Sequence, residues 1–185
     1  SMAGPHVAGI VALMRQANPD LDVITIKEIL MATAIDVGPL GNDNANGWGF
    51  VDAYAAVLAA LTDVGKVTGT ITAAETGQPL AGVAVTRPSN GGRYLTDGSG
   101  QFVFSARAGE ILVEVERYGY YPATLTGVLA QNDTLFLDTA MIALPQGTVS
   151  GTVYDPEGQP VAGATVRVLD VPIPAVVTGQ DGRYT

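Results

Sequence analysis

The chain has 185 residues, of which 47% are hydrophobic and 15% are charged. This composition supports a packed core, argues against a disordered tail, and the length predicts one or two domains. The net charge of −9, with no basic cluster, excludes nucleic acid and anionic membranes as expected partners, and the lack of cysteine excludes disulfides and thiol chemistry.

Residues 1 to about 62 have the apolar spacing of helices. Val7, Ile10, Val11 and Met14 recur at i, i+3, i+4 and i+7, which predicts a first helix that ends at the Asn-Pro-Asp sequence of residues 18–20. The other faces of this helix are also largely apolar. We therefore expect the helix to lie inside a larger protein.

Two more helices are predicted in this part of the chain. Thr25 and Glu28 have the spacing of a capping box, which predicts a second helix with Thr25 as its N-cap. Its inner stripe is predicted to consist of Ile26, Ile29, Leu30 and Thr33. Asp52 is the predicted N-cap of a third helix. The apolar residues that share one face of this helix are Tyr54, Val57, Leu58 and Leu61.

From about Val64 the apolar pattern changes to a period of two. Valine, isoleucine and alanine alternate with threonine over residues 67–73, and over residues 111–116 isoleucine and valine alternate with one leucine and two glutamates. Residues 96–100 and 118–120 punctuate these runs as turns. Short strands at this spacing predict an antiparallel β-sandwich.

The second part of the chain contains an internal repeat. The segments 67–70, 77–82 and 96–102 recur as 149–152, 158–163 and 178–184. The joint between the copies is expected near residues 145–147, and the second copy reaches about halfway through the unit at Thr185. We therefore expect three segments, 1–62, 63–144 and 145–185, with the last sandwich truncated. Residues 64–144 are the unit expected to fold alone.

The nine residues Ser1-Met2-Ala3-Gly4-Pro5-His6-Val7-Ala8-Gly9 resemble the segment that opens at the nucleophilic serine of subtilisin-like serine proteases. Residues 18–20, 29–34 and 46–53 follow in the order expected for that family. The resemblance implies a C-terminal fragment of a larger, secreted bacterial protease. It implies an α/β fold around a mostly parallel sheet, of which only the last helices and at most one strand are present.

The repeats resemble carboxypeptidase regulatory-like domains, which are small transthyretin-like β-sandwiches. The second copy matches at residues 151–153, 158–164 and 181–184, whereas the first copy has Ser99 where the pattern has Asp. The fold class is therefore expected to be multidomain, with the helical end of an α/β domain followed by all-β sandwiches. These modules indicate little about activity, and we expect them to act as spacers or as surface, polymer or substrate anchors.

The first resemblance implies that Ser1 is the catalytic nucleophile, forming an acyl-enzyme with protein or peptide substrates. Considered alone, Ser1 would be an ordinary helix N-cap. A second catalytic alternative, in which Ser1 uses its own α-amine as the base, is disfavoured by the helical start. The family's Asp, His and oxyanion-hole Asn precede the serine, so no position here matches them. We therefore expect the isolated chain to be inactive.

The other candidate residues favour structural roles. His6 lies about 140° around the helix from Ser1, so we expect a packed helix histidine and not a base. Asn42, Asp43, Asn44 and Asn46 suit calcium but include one carboxylate, and we expect turn formers, with no metal and no cofactor. Asp97, Asp155 and Asp181 are expected to bond turn backbone. The alternatives left open are a tyrosine binding patch, formed by Tyr94, Tyr118, Tyr120 and Tyr121, and a non-catalytic binding protein with a degenerate protease domain.

Overall fold

The computed structural model describes residues 2–185, which form two compact units. The first unit extends to Ala143 and contains the helices and the first sandwich. The second unit is Leu144–Thr185. The order of helices followed by β-sandwich sheets confirms the expected multidomain fold class.

The helices are α1 (Ala3–Ala17), α2 (Val23–Thr33) and α3 (Ala53–Thr62). The predicted stripe of α1 is confirmed, because Ile10 and Met14 are buried and Val11 packs against the same cluster. The helix ends at Ala17, and the backbone N–H of the C-cap residue Asn18 donates to the Met14 carbonyl at 2.9 Å. Pro19 follows and cannot continue the helix.

The predicted capping box of α2 is wrong. The helix begins earlier, at Val23, and its N-cap is Asp22, whose carboxylate accepts the Thr25 N–H at 2.7 Å. Thr25 is fully buried in the first turn, and Glu28 binds residues of the sandwich. Local spacing suggested the box, but Asp22 is an equally good cap and tertiary contacts occupy both other side chains.

The cap of α3 is confirmed, since Asp52 accepts the Ala55 N–H at 2.9 Å. Most of the predicted apolar face of this helix is not buried, although its Val57 packs against the helical core. Tyr54 is 79% exposed, and Leu58 and Leu61 are also exposed. The buried side consists of Ala56, Ala59 and Ala60. Small residues let α3 approach α1 and α2 closely. The alanine side of the helix is therefore buried, and the side with the larger apolar residues is left exposed.

The first sandwich consists of two four-stranded sheets. In the first sheet β1 pairs with β4 antiparallel and with β7 and β8 parallel, and the second sheet has the order β3-β2-β5-β6. The strands are β1 (Val64–Ala73), β2 (Ala84–Arg87), β3 (Gly92–Leu95), β4 (Gln101–Arg107), β5 (Gly109–Glu116), β6 (Ala123–Leu129), β7 (Thr134–Phe136) and β8 (Thr139–Met141).

The core of the sandwich lies between these two sheets. The predicted alternation is confirmed, because Val67 and Ile71 of β1 are fully buried, as are Val113 and Val115 of β5. Their neighbours on the other side of each strand are more exposed. Each buried aliphatic side chain of this kind contributes roughly 1.5–3 kcal/mol of transfer free energy to folding.

The second unit repeats the strand register of the first sandwich with shorter strands. These are β9 (Gly151–Thr152), β10 (Thr165–Val166), β11 (Val176–Val177) and β12 (Arg183–Tyr184). Tyr184 pairs with Gly151 as Phe102 pairs with Gly69. The internal repeat read from the sequence is therefore present in the backbone pairing as well.

The hydrogen bonds around one threonine are also the same in both copies. The Thr96 hydroxyl donates to the Leu80 carbonyl at 2.6 Å and accepts the Val83 N–H at 2.9 Å. The Thr178 hydroxyl donates to the Val161 carbonyl at 2.7 Å and accepts the Ala164 N–H at 2.9 Å. Both threonines are 5% exposed. We call this arrangement the threonine node.

Gly100 and Gly182 show the same backbone constraint in the two copies. Their φ angles are 74° and 72°, in the region that favours glycine. A Cβ on Gly100 would lie 2.6 Å from the Ile71 carbonyl oxygen, and a Cβ on Gly182 would lie 2.7 Å from that of Val153. Glycine at this point of the repeat is therefore required by close approach as well as by conformation.

Candidate functional site

The start of α1 is the position that the sequence assigns to chemistry. Ser1 itself lies outside the described residues. Met2 precedes the helix, makes no side-chain cap, and the first turn contains no acidic residue. The first N–H groups of a helix have no partner within the helix and carry partial positive charge. This end can therefore stabilise negative charge that develops on a group bound next to it.

His6 is not packed, which corrects the sequence-based expectation. Its side chain is exposed, and Nδ1 donates to the Met2 carbonyl oxygen at 2.9 Å. An i to i−4 bond of this kind holds the ring along the first turn because side chains on a helix lean towards its N-terminus. Nδ1 is engaged as a backbone donor, so the histidine serves the local helix geometry.

The opposite end of α1 is tied to the rest of the first unit. The Asn18 side chain donates to the Ala60 carbonyl at 3.0 Å and so joins the end of α1 to α3. A cavity of about 530 Å³ lies at this end, with Asn18, Lys66 and Asp133 in its lining. The 15 residues of α1 span about 22 Å, so this cavity is remote from the helix start.

A buried polar contact joins α2 to β4 of the sandwich. The Thr25 hydroxyl donates to the Ser105 carbonyl at 2.7 Å, and the Ser105 hydroxyl accepts the Asp22 N–H at 2.9 Å. The two hydroxyl groups are themselves 3.2 Å apart and hydrogen-bonded. Each of these hydroxyl groups therefore has its partners, which is the condition for a buried polar network to be stabilising.

Tyr94 extends this contact onto β3. Its hydroxyl donates to Asp22 Oδ2 at 2.7 Å, and its ring stacks on Phe104 with centroids 4.4 Å apart. Burial raises the pKa of Tyr94 well above its ordinary value, and the hydrogen bond and negative charge of Asp22 act in the same direction. The neutral, donating form of the phenol is therefore the one that the fold requires.

A buried ion pair completes the contact. Both terminal guanidinium nitrogens of Arg87 donate to the Glu28 carboxylate, at 3.3 and 3.4 Å, and the Asn90 side chain donates to the same carboxylate at 2.6 Å. Arg87 is 6% exposed, and its guanidinium lies 5.6 Å from the centroid of the Phe104 ring. We call the whole contact the helix–sandwich seam. Its residues are Asp22, Thr25, Glu28, Arg87, Asn90, Tyr94 and Ser105.

The asparagine-rich loop forms turns. Asp43 Oδ1 accepts the backbone N–H groups of Ala45 and Asn46, each at 2.7 Å. The N–H of Asn46 and then that of Ala45 lower the pKa of Asp43 below its ordinary value. Within residues 2–185 no group of three or more His, Cys, Asp or Glu side chains is placed to hold a metal ion.

The four predicted tyrosines do not form one patch. Tyr94 belongs to the helix–sandwich seam, and Tyr120 packs against the core with the Arg117 guanidinium 5.6 Å from its ring centroid. Tyr118 and Tyr121 remain exposed, at 58% and 50%. The structure therefore divides the group into two structural residues and two surface residues.

The turn aspartates bond backbone as expected. Asp97 Oδ1 accepts the Ser99 and Gln101 N–H groups, Asp155 Oδ1 accepts that of Gln159, and Asp181 Oδ1 accepts that of Arg183. The Ser99 hydroxyl, followed by the N–H groups of Gln101 and Ser99, lowers the pKa of Asp97. These carboxylates stabilise the turns that connect paired strands.

The helix–sandwich seam was not predicted, although the sequence contains one indication of it. In β2 the period-two pattern that buries Val85 also places Arg87 on the buried face. An arginine at such a position requires a partner, because an unpaired charge is costly to bury. That partner is Glu28, which is 59 residues away in the sequence, so its identity was not predictable from local spacing.

Comparison with protein families now places both parts of the chain. Residues 1–49 match the Subtilase family, peptidase S8, and residues 66–141 match the carboxypeptidase regulatory-like domain. The resemblances stated from the sequence are therefore confirmed. Family-level homology to serine proteases is shown for the first segment, and it covers only a short part of the chain.

Three curated relatives illustrate how short that part is. The chain is 40% identical over 75 residues to bacillopeptidase F of Bacillus subtilis and 40% identical over 57 residues to an extracellular serine protease of Serratia marcescens. It is 39% identical over 67 residues to fervidolysin of Fervidobacterium pennivorans. The matches cover 38%, 31% and 36% of this chain and 5%, 6% and 10% of those proteins.

Solved structures give weaker similarities. The crystal structure of fervidolysin matches with a TM-score of 0.45 and 21% identity, covering 72% of this chain and 25% of that one. The minor pilin GBS52 of Streptococcus agalactiae matches with a TM-score of 0.37 and 19% identity, covering 48% of this chain and 47% of that one.

No helix among residues 2–185 combines the length and apolar character needed to cross a membrane.

Proposed function

We propose that this chain is the nucleophile-bearing end of a subtilisin-like serine endopeptidase, with Ser1 as the catalytic nucleophile. The observation that carries the proposal is the match of residues 1–49 to the Subtilase family, beginning at the Ser-Met-Ala-Gly-Pro-His sequence. The start of α1, whose first turn lacks acidic residues, supports it because free N–H groups there suit a developing oxyanion.

The proposed chemistry is acyl transfer. The Ser1 hydroxyl attacks the carbonyl of a peptide bond, its proton passes to a histidine base, and the amine leaves as that base returns the proton. Water then hydrolyses the acyl-enzyme. The proposal places the base and its orienting carboxylate in residues outside 1–185, because in the family both precede the serine, whereas the one histidine here, His6, follows Ser1 by five residues.

The test is hydrolysis of a chromogenic peptide by the 185-residue chain and by the whole protease that contains it. We expect no turnover from the chain alone, since loss of the catalytic histidine alone lowers subtilisin turnover about 10⁶-fold. We expect the whole protein to hydrolyse the peptide, and we expect Ser1→Ala to abolish this hydrolysis. Activity of the chain alone that depends on Ser1 would refute the external base. A whole protein with no activity, or with activity that Ser1→Ala leaves unchanged, would refute the proposal.

We also propose that the protein is secreted and that the sandwiches serve as spacers or anchors on surfaces or polymers. The similarity to an extracellular serine protease of Serratia supports secretion, and the exposed Tyr118 and Tyr121 support a contact surface. Polymer pull-down with the 185-residue chain tests the anchor. We expect a polymer to retain the chain and the double variant Tyr118→Ala, Tyr121→Ala to abolish that retention. If no polymer retains the chain, the spacer role is the one that remains.

A further inference from the structure

The sandwich side of the helix–sandwich seam is built from one end of the sandwich. Arg87 ends β2, Asn90 lies in the β2–β3 turn, Tyr94 is on β3 and Ser105 is on β4. The helix side uses the N-cap of α2 and two residues of the helix at i and i+3, which are neighbours on one helix face. These are Asp22, Thr25 and Glu28.

The second copy of the repeat shows which of these residues the sandwich itself needs. The pair Val85 and Tyr94 in the first copy corresponds to Val166 and Val176 in the second. By the same alignment Arg87 corresponds to Val168. The threonine node forms in both copies, so this local part of the repeat requires neither an arginine nor a tyrosine at these positions.

The polar residues of the first copy therefore serve the helix that lies on them. Arg87 is 6% exposed, and burial of its charge is favourable only with a carboxylate partner in place. Here that carboxylate is Glu28 of α2. The amide of Asn90 adds a third hydrogen bond to the same carboxylate. The set recognises an acidic side chain on a helix, with a threonine one turn before it.

We propose that this end of the first sandwich is a dedicated helix-docking surface, that its occupant is α2 of the same chain, and that the helices and the first sandwich open as one cooperative unit. The sandwich then packs firmly against the helical segment, near the C-terminal end of α1 and away from the end that follows Ser1. It is not a domain joined to the helices only by a flexible linker. This differs from the expectation that residues 64–144 fold independently. The proposal does not depend on catalysis, and its test uses no activity measurement.

The test is amide hydrogen exchange on the 185-residue chain carrying Asn90→Asp. The substitution places a carboxylate where an amide now donates to Glu28 at 2.6 Å. We expect exchange in α2 and in β2–β3 to accelerate together by about 10-fold or more, because a hydrogen bond to a charged group is replaced by like-charge repulsion. Exchange in the second unit is expected to stay unchanged.

Glu28→Gln in the same background is the rescue, because the glutamine amide can donate to the carboxylate that Asn90→Asp introduces. We expect the double variant to return to within about threefold of the parent in both segments. Asn44→Asp is the matched control, since it adds the same charge at an exposed loop residue, and we expect it to leave both segments unchanged.

If Asn90→Asp prevents folding, Thr25→Val supplies a milder change that removes the hydroxyl bonded to the Ser105 carbonyl. Joint acceleration of α2 and β4 supports the proposal. Acceleration of α2 alone, with β2–β4 still protected, would show that the helices open independently and would overturn it. Unchanged exchange in α2 for both variants would also overturn it.

Discussion

The two copies of the sandwich repeat share the threonine node and the backbone hydrogen bonds of their turns, and they have very different cores. In the first copy the residues that follow the alternation are buried, with Ile71, Val83 and Val85 at 0% exposure. In the second copy the residues equivalent to Ile71 and Val85 are Val153 and Val166, and both are only half-buried. The turns and the threonine node are nevertheless the same.

This difference separates two contributions to the same architecture. The node and the glycine turns depend on a few residues close in sequence, so they form wherever those residues occur. The core depends on apolar area contributed by strands from both sheets, and residues 144–185 contain counterparts of β1–β4 without those of β5–β8. Local geometry is therefore shared, whereas the hydrophobic contribution to stability belongs mainly to the first copy.

The largest expected effect is on the core. Ile71→Ala should destabilise the first unit by about 2–5 kcal/mol, because it removes buried methyl groups and leaves a cavity. Val153→Ala, at the equivalent position, should cost less than about 1 kcal/mol. Denaturant unfolding monitored by hydrogen exchange in each unit measures both. Equal costs in the two copies would contradict the difference in their cores.

The next effect should be similar in both copies. Thr96→Val and Thr178→Val each leave a carbonyl and an N–H of the threonine node without a partner, at an expected cost of about 1–3 kcal/mol. Exchange of the Val83 and Ala164 amides reports the loss directly. Replacement by Ser, which keeps the hydroxyl, is the control in each copy. A cost confined to the first copy would mean that the node is stable only above a packed core.

A smaller effect distinguishes the copies through the helix–sandwich seam, which the second copy lacks. Tyr94→Phe should cost about 1–2 kcal/mol, because it removes a hydrogen bond to a charged group that is partly exposed. The folded pKa of Tyr94 is raised, so its contribution is complete below the ordinary tyrosine pKa near 10 and declines as the pH rises above that value. Alkaline unfolding of parent and variant should show less pH dependence in Tyr94→Phe, and equal dependence would contradict this assignment.

The smallest effect concerns the turn at Asp97, where the second copy has Gly179. Its folded pKa is lowered, so the stabilisation is present above the ordinary aspartate pKa near 3.9 and is lost as the pH falls through the folded pKa. Asp97→Asn should reduce the acid dependence of the first unit between about pH 5 and pH 3. Ser99→Ala, which removes the largest cause of the shift, should reduce it partly. If the acid dependence of stability is unchanged in both variants, protonation of Asp97 is not linked to folding.

The features that could be predicted from the sequence are those set by residues close together in the chain. The stripe of α1, the Asp52 cap, the alternation of β1 and β5 and the register of the repeat follow from spacings of a few residues, and the structure contains them. The family matches over residues 1–49 and 66–141 agree with the quoted motifs. The role of Ser1 remains a prediction.

Two of the expectations that failed depended on partners distant in sequence. The buried face of α3 is set by its alanines, because α1 and α2 approach it closely. Thr25 is not a cap, because Ser105 occupies its hydroxyl. The sequence by itself determined the elements, the repeat and the two family resemblances. Only the tertiary structure decided how α2 joins the sandwich, because burial of Arg87 and Thr25 is favourable only when their partners from 59 and 80 residues away are in place.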